Sequence, residues 1–308
     1  METAQAHKMN RQQDIRQSDG WGKYLETLGW KIRKTSSGIL IDIRPTFLGN
    51  FVKIQRPRKI TEQDLEEIEK ICRKEKCAYI KIELDYDQDE SIFDSAGYKK
   101  TFSPNAVPSS IFIDLTKSED DLWASLSRSA RYSIKRAIRE GYKVDNIRNP
   151  GLENLRESYD VFVKTAKFKH FYLPPFSQYS DRVRIYGDKS YLSVVRNAGG
   201  EIQSSKFCLG HKNMVLFVTG GSTHQARENK SGYLLMWEAI KFFKMEGYEY
   251  FDLEGRADER FSSFTKDWKG FTDFKEKFGG ICVDFPIPRI KYLSKVYKVM
   301  SKIIRTDL

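Results

Sequence analysis

Apolar positions along this chain recur with two periods, and each change of period marks a new element. Trp21–Trp30 reads as a short helix stopped near Gly29. Gly38–Ile43 and Phe51–Ile54 alternate as strands. From Thr61 to Lys74, Leu65, Ile68 and Ile71–Cys72 form a helical stripe behind a Thr61 cap. Ala78–Leu84 alternates again, a brief helix leads to Gly97, and Ile111–Leu115 is strand-like. Beyond it, a helix starts at Ser118 or Thr116, with acidic residues in its first turn as the helix dipole favours. A longer helix runs through Arg139 and ends at Gly141. Val144–Ile147 is a strand, Leu152–Lys167 a helix, and Arg182 lies near another helix end. Tyr191–Arg196, Gln203–Leu209 and Met214–Thr219 are successive strands with turn signals at Asn197–Gly200 and Gly210–Asn213. The helix Tyr233–Met245 runs into Gly247, the strand Tyr248–Leu253 follows, and a loop leads on to a last strand near Gly280. The pattern predicts two α/β units, 19–115 and 116–286, behind a loose tail at 1–18.

Charge adds direction to this picture. The 308 residues carry a net charge of +11, which favours anionic partners. Arg128, Arg131, Lys135 and Arg139 fall within one narrow stripe of a helix, with Ile134, Ala137 and Ile138 expected opposite. Like charges so spaced repel, and a phosphate backbone would relieve them. Near the end, Ile290, Leu293, Val296, Met300 and Ile303 make a second apolar stripe, flanked by Lys291, Lys295, Lys298, Lys302 and Arg305. It suits a helix docked on the protein, or one lying on anionic lipid at the inner membrane surface; docking is the expectation. The apolar runs are too short to span a membrane, and the first twenty residues have no apolar signal core. Four scattered cysteines make neither a disulfide framework nor a zinc site. A reducing, cytoplasmic setting follows, with a monomer as the simplest assembly.

Common catalytic patterns are mostly excluded. Asp85, Asp87 and Asp89 open like a calcium loop, but Glu90 stands where its glycine belongs and Ala96 where its last ligand belongs. Ser263 and Lys266 have a serine–lysine spacing without its companion motifs. His7, His170, His211 and His224 have no metal-type spacing, and His170 reads as structural. The helix–strand layout resembles the GNAT acyltransferase fold, whose pyrophosphate loop is Q/R-x-x-G-x-G/A. Here that place holds HQARENKSGY, with a single glycine and Glu228, a poor cradle for phosphate.

Six segments, in order, resemble the FemX/FemA/FemB aminoacyl transferases of cell-wall peptide synthesis. They are RQSDGWGKYLETLGW, YIKIELD, IFIDLTKSEDDLWASLSRSARYSIKRAIREGYKV, LFVTGGST, YLLMWEAIKFFKMEGYEYFDLEG and FKEKFGG. The resemblance implies an α/β (α+β) fold of two tandem GNAT-like domains with mixed sheets, and a C-terminal segment, 287–308, packed back on the first. It implies transfer of an amino acid from aminoacyl-tRNA, as co-substrate, to a stem-peptide amine of a peptidoglycan precursor, with no metal and no CoA. By position, Lys23 matches a lysine that contacts the precursor's diphosphate. Arg182, with Arg184 as rival, matches an arginine doing the same. Phe274 and Lys275 match the Phe-Lys pair at the acceptor site, and Glu83 stands where the family has an acidic residue, a candidate base. The basic stripe Arg128–Arg139 is then the expected tRNA contact. Asp252–Leu253–Glu254–Gly255 departs from the family's D-L-G-G, Ser204–Ser205 replaces a small apolar pair, and the long coiled-coil arm is missing. These departures leave the amino acid and the acceptor position open, and the carrier is either nucleotide or lipid. A GNAT-type acyl-CoA enzyme and a non-catalytic anionic-ligand or membrane-surface module are the alternatives.

Overall fold

The computed structural model describes residues 9–47, 49–86 and 88–304, with side chains through 299. The chain forms two compact units. The first holds 1–110, 255–269 and 282–308, and the second holds 111–254 and 270–281.

The first unit opens with helix α1 (Asp19–Thr27), capped by Ser18, and strands β1 (Lys31–Lys34), β2 (Leu40–Arg44) and β3 (Asn50–Gln55). Helix α2 (Glu62–Lys74) and strand β4 (Cys77–Glu83) follow, then α3 (Ser91–Ser95) and β5 (Lys99–Lys100). Thr61 and Asp64 close a reciprocal capping box on α2: Asp64 N–H donates to Thr61 Oγ1 (3.2 Å) and Thr61 N–H to Asp64 Oδ2 (2.9 Å). Its buried stripe, Leu65, Ile68 and Cys72, packs on Ile41, Ile43, Val52, Ile54, Ile80 and Ile82, which alternate along β2–β4.

The second unit runs through β6 (Ser109–Asp114), α4 (Glu119–Ser125), α5 (Arg128–Arg139), β7 (Lys143–Arg148), α6 (Leu152–Lys169) and α7 (Phe176–Tyr186). Helix α6 ends on His170 in the left-handed conformation (φ 55°), which gives that histidine a structural place. Next come β8 (Ser190–Arg196), β9 (Ile202–His211), β10 (Met214–Ser222), α8 (His224–Asn229), α9 (Gly232–Met245) and β11 (Tyr250–Asp252). The chain then supplies α10 (Ser262–Thr265) to the first unit and α11 (Lys269–Glu276) to the second. It ends with β12 (Ile281–Asp284), β13 (Arg289–Tyr292) and α12 (Lys295–Ile304).

Both sheets are mixed. One runs β1-β2-β3-β4-β13-β5, the other β12-β6-β11-β10-β9-β8-β7. They share a plan: an antiparallel pair, a helical crossover to a parallel strand, then an antiparallel strand beyond it. In the first, β3 crosses through α2 to β4, which pairs with β13. In the second, β10 crosses through α9 to β11, which pairs with β6.

Four expectations change here. Ile111–Leu115 does not close the first sheet; its strand belongs to the seven-stranded sheet, beside β11, and β13 takes the corresponding place beside β4. Ile290 therefore lies on a strand rather than a helical stripe, and Val296 and Val299 of α12 are exposed while Tyr297 is buried. Met300, Lys302, Ile303 and Arg305 of that pattern lie outside the described side chains, as does Asp87 outside the described residues. Of the expected loose tail, 1–8 lies outside the description, but Asp14–Ser18 are buried. Gln17 bridges two strands there, its side chain donating to Gln55 O (2.8 Å) and accepting from Leu40 N–H (2.9 Å). Finally, the expected loop before Gly280 contains α11, whose residues Thr272, Lys275 and the following Phe278 are buried at helical spacing.

Candidate active site

The fork between β10 and β11 builds the candidate site. These strands pair in parallel only over Met214–Leu216. Strand β10 continues to Ser222 against β9, with a register shift between Phe217 and Thr219. From Phe217 its other edge is unpaired by β11, and burial falls there from complete to partial. Gly221 lets α6 close over the strand: a Cβ would lie 2.9 Å from Val161 O and from Thr165 Oγ1.

Lys275 enters this fork from α11. Its side chain takes a stripe position that an apolar residue would otherwise fill, and the residue is 5% exposed. Its ammonium donates to Glu254 O (2.6 Å) and lies over the rings of Phe271 (4.4 Å) and Phe217 (5.7 Å). Burial pulls its pKa from 10.5 down to about 7; the Glu254 carboxylate opposes that shift, and the Lys206 ammonium reinforces it. Glu254 follows the β11 end in an Asx turn, its N–H donating to Asp252 Oδ1 (2.8 Å). It has φ 53°, a conformation natural to glycine, so this non-glycine residue carries some backbone strain.

Phe274, half-buried, packs edge-on against Tyr233 at the start of α9 (4.9 Å) and against Phe278 (5.2 Å). Lys277 donates to Tyr233 Oη (3.2 Å). The sequence reading missed Lys206, on β9, which is 7% exposed and lies over Phe217 (4.7 Å) and Phe274 (5.4 Å). Burial lowers its pKa to about 8. The available signal was a lysine in the middle of a strand otherwise free of charge, SSKFCL. Where a pyrophosphate loop would lie, residues 224–229 instead coil into α8, and Asn229 Oδ1 accepts from Ser231 N–H (3.0 Å). No glycine-rich amide cradle forms there.

Other expected residues take separate places. Arg128, Lys135 and Arg139 are exposed on α5, where Tyr132 and Ile138 are exposed beside them; Ile138 thus belongs to the outer face, not the buried one. Tyr132, Lys135, Ile138 and Arg139 line a cleft of about 440 Å³. Arg131 is partly committed: its guanidinium donates to Leu126 O (2.7 Å) and to the last-turn carbonyls Ala124 O (3.1 Å) and Trp123 O (3.4 Å) of α4. Arg182 is buried on α7 with its guanidinium over Tyr179 (5.6 Å), whereas Arg184 is a surface residue paired with Asp181 (2.8 Å).

In the first unit, Lys23 is exposed on α1. The sheet face opposite α2 carries Asp42, Lys53, Gln55, Lys81 and Glu83, brought into line by register. Burial lifts Asp42 to about 7 against the pull of Lys53. Burial alone would raise Asp14, but Arg16 and Arg11 hold it below the usual carboxylate range. Glu83 is fully buried. One oxygen accepts from the N–H groups of Asn105 (2.5 Å) and Ala106 (2.6 Å), and the other from Gln55 Nε2 (2.9 Å). These contacts make it a tether for the 105–106 backbone.

Comparison with known proteins agrees with this architecture. The FemAB family model matches residues 51–198, and that of the acetyltransferase (GNAT) domain matches 128–269. Over 184 residues the chain is 25% identical to the lipid II:glycine glycyltransferase of Staphylococcus haemolyticus, a stretch that is 53% of this chain and 44% of that protein. The chain thus spans less than half of that relative. The crystal structure of FemX superposes with a TM-score of 0.77 at 13% identity, covering 99% of this chain and 98% of FemX. The C-terminal domain of a putative lysylphosphatidylglycerol synthetase from Agrobacterium fabrum follows the same fold (TM-score 0.65, 14% identity, 94% and 92% covered). A tandem GNAT protein of clavulanic acid biosynthesis does so more distantly (0.52, 11%, 84% and 81%). The FemAB family model thus matches just under half of the chain, and the chain has the GNAT-like fold of FemX.

Proposed function

We propose that this protein moves an aminoacyl group from aminoacyl-tRNA to a stem-peptide amine of a peptidoglycan precursor. The observation that carries the reading is the buried Lys275 at the β10–β11 fork of a chain that the FemAB family model matches over 51–198. An aminoacyl ester is already activated, so positioning is the main task, worth up to roughly 7–11 kcal/mol. The neutral acceptor amine attacks the ester carbonyl. A C–N bond forms, the carbonyl oxygen takes negative charge, and the C–O bond to the ribose then breaks. The ribose oxygen leaves with a proton, the amine losing one. Lys275 supplies a donor to the developing oxyanion or to the departing ribose oxygen. Lys23 and Arg182 are each a candidate contact for the precursor's diphosphate, the buried Arg182 being a better-organised group than the surface-paired Arg184.

The reaction uses no CoA and no metal in this reading; the residues replacing the pyrophosphate loop bear on the CoA part alone. The chain works as a monomer on the cytoplasmic side, where aminoacyl-tRNA is present, touching the membrane only peripherally. No helix among the described residues is long and apolar enough to cross a membrane. The test is transfer of radiolabelled amino acids from charged tRNAs to UDP-linked and to lipid-linked muropeptide, with acetyl-CoA as a parallel donor. Transfer from acetyl-CoA alone would sink the proposal.

The α5 stripe is the tRNA contact, reading charge rather than sequence. The triple variant Arg128→Gln/Lys135→Gln/Arg139→Gln avoids Arg131, whose carbonyl contacts hold α4. It should weaken tRNA binding and flatten the log-affinity against log-salt slope by about 2. An unchanged slope in a salt titration rejects this surface.

A further inference from the structure

Lys206 has charge to spare. It is 7% exposed, yet among the described residues its ammonium forms neither an ion pair nor a hydrogen bond. Its ammonium instead rests on two ring faces, Phe217 (4.7 Å) and Phe274 (5.4 Å). Ring faces offset only part of the cost of burying a cation, because desolvating an ion is the larger effect. The depressed pKa of about 8 is the mark of that deficit, and it still leaves the group mostly charged at neutral pH. Charges nearby do not close the balance: Lys275 has the same sign, and the Glu254 and Asp252 carboxylates act on Lys275. The half-buried stretch of β10 from Phe217 leaves an approach to this place.

We propose that Lys206 anchors a free carboxylate of the acceptor peptide and so positions the acceptor amine beside Lys275. The proposal rests on the transferase reading above. A single ammonium walled by rings matches one small anion. A phosphodiester is more often met by arginine forks or several backbone amides, neither of which lies on Lys206. Lys206 also shares Phe274 with the acceptor end of the site, while the α5 stripe carries charge for RNA.

The experiment compares wild type, Lys206→Met and Lys206→Arg with two acceptors, a UDP-linked muropeptide and the same muropeptide with its free carboxylates amidated. Amidation should raise the acceptor KM of wild type about tenfold or more with kcat little changed. Lys206→Met should show that rise with the unmodified acceptor, show no further rise on amidation, and be partly rescued by Lys206→Arg. Equal KM values for the two acceptors in wild type overturn the proposal. So does a Lys206→Met defect confined to the KM for aminoacyl-tRNA, which would assign the lysine to RNA phosphate.

Binding is followed separately in ¹⁵N-lysine spectra, with the Lys206 signal identified by its loss in Lys206→Met. A shift on adding the unmodified muropeptide but not the amidated one supports the anchor even if no transfer occurs, an outcome that sinks only the transferase reading. Transfer without that shift overturns the anchor alone. Methionine suits the apolar walls, so Lys206→Met should melt at or above the wild-type temperature; Lys206→Gln replaces it if it does not fold.

Discussion

Lys275→Ala is expected to lower the transfer rate by about 10²–10³, the usual cost of deleting one preorganised donor to a developing oxyanion. Folding should not suffer. Lys275 carries a buried ammonium whose pKa is depressed from 10.5 to about 7. Between those values the unfolded chain binds a proton that the folded chain does not, so wild-type stability rises with pH across that window. The slope from this one group is at most about 1.4 kcal/mol per pH unit, and Lys206 adds a slope of the same sign over the narrower window from about 8 to 10.5. Below about pH 7 the folded chain must bury the charge, which is where removing it helps most. Lys275→Met, which keeps the volume, should therefore melt above wild type at pH 6, with the difference shrinking toward pH 10. Calorimetry at the two pH values checks the sign. A variant that is both active and no more stable at pH 6 contradicts the burial argument as well as the proposed role.

Glu83→Ala should cost about 3–5 kcal/mol, because it leaves the part-buried Asn105 N–H, the buried Ala106 N–H and Gln55 Nε2 without their acceptor. Its loss of activity would then report unfolding of the first unit. Glu83→Gln separates the tether from a base. One amide oxygen can still accept from Asn105 and Ala106, and Gln55 can turn its own oxygen to meet the new NH₂ group, so about 1 kcal/mol should be lost. A tether predicts near-normal turnover in Glu83→Gln once the protein is folded. A general base predicts loss of turnover without loss of fold. Denaturant melts alongside turnover at several pH values distinguish the two.

Local periodicity made most of the elements legible. The Thr61 cap, the Leu65–Cys72 stripe, the three strands from Tyr191 to Thr219 and the helix after Ser231 all follow from nearest neighbours along the chain, which sets the side-chain face of each residue. Motif order made the resemblance to the FemABX transferases legible as well. Strand partners were not legible. Ile111–Leu115 and Ile290 have the alternation of strands, but the choice of sheet depends on which backbone edge is open, a long-range matter. Gly38–Ile43 was read as a strand, while its neighbour β1, mostly exposed and rich in lysine and arginine, left no apolar signal.

By itself, then, the sequence determined the α/β character and the order of elements, and it carried the resemblance to the FemABX transferases. Those properties reside in residue type and spacing. Tertiary structure alone decided what each charge does. Glu83 became a tether because three donors converge on it. Arg131 became a helix clamp because the end of α4 lies beneath it. Lys275 and Lys206 came to share one phenyl ring because β9, β10 and α11 meet at a fork. A charged side chain is the same letter in water and in a ring-walled cleft. Only its surroundings set its desolvation, its partners and its proton affinity.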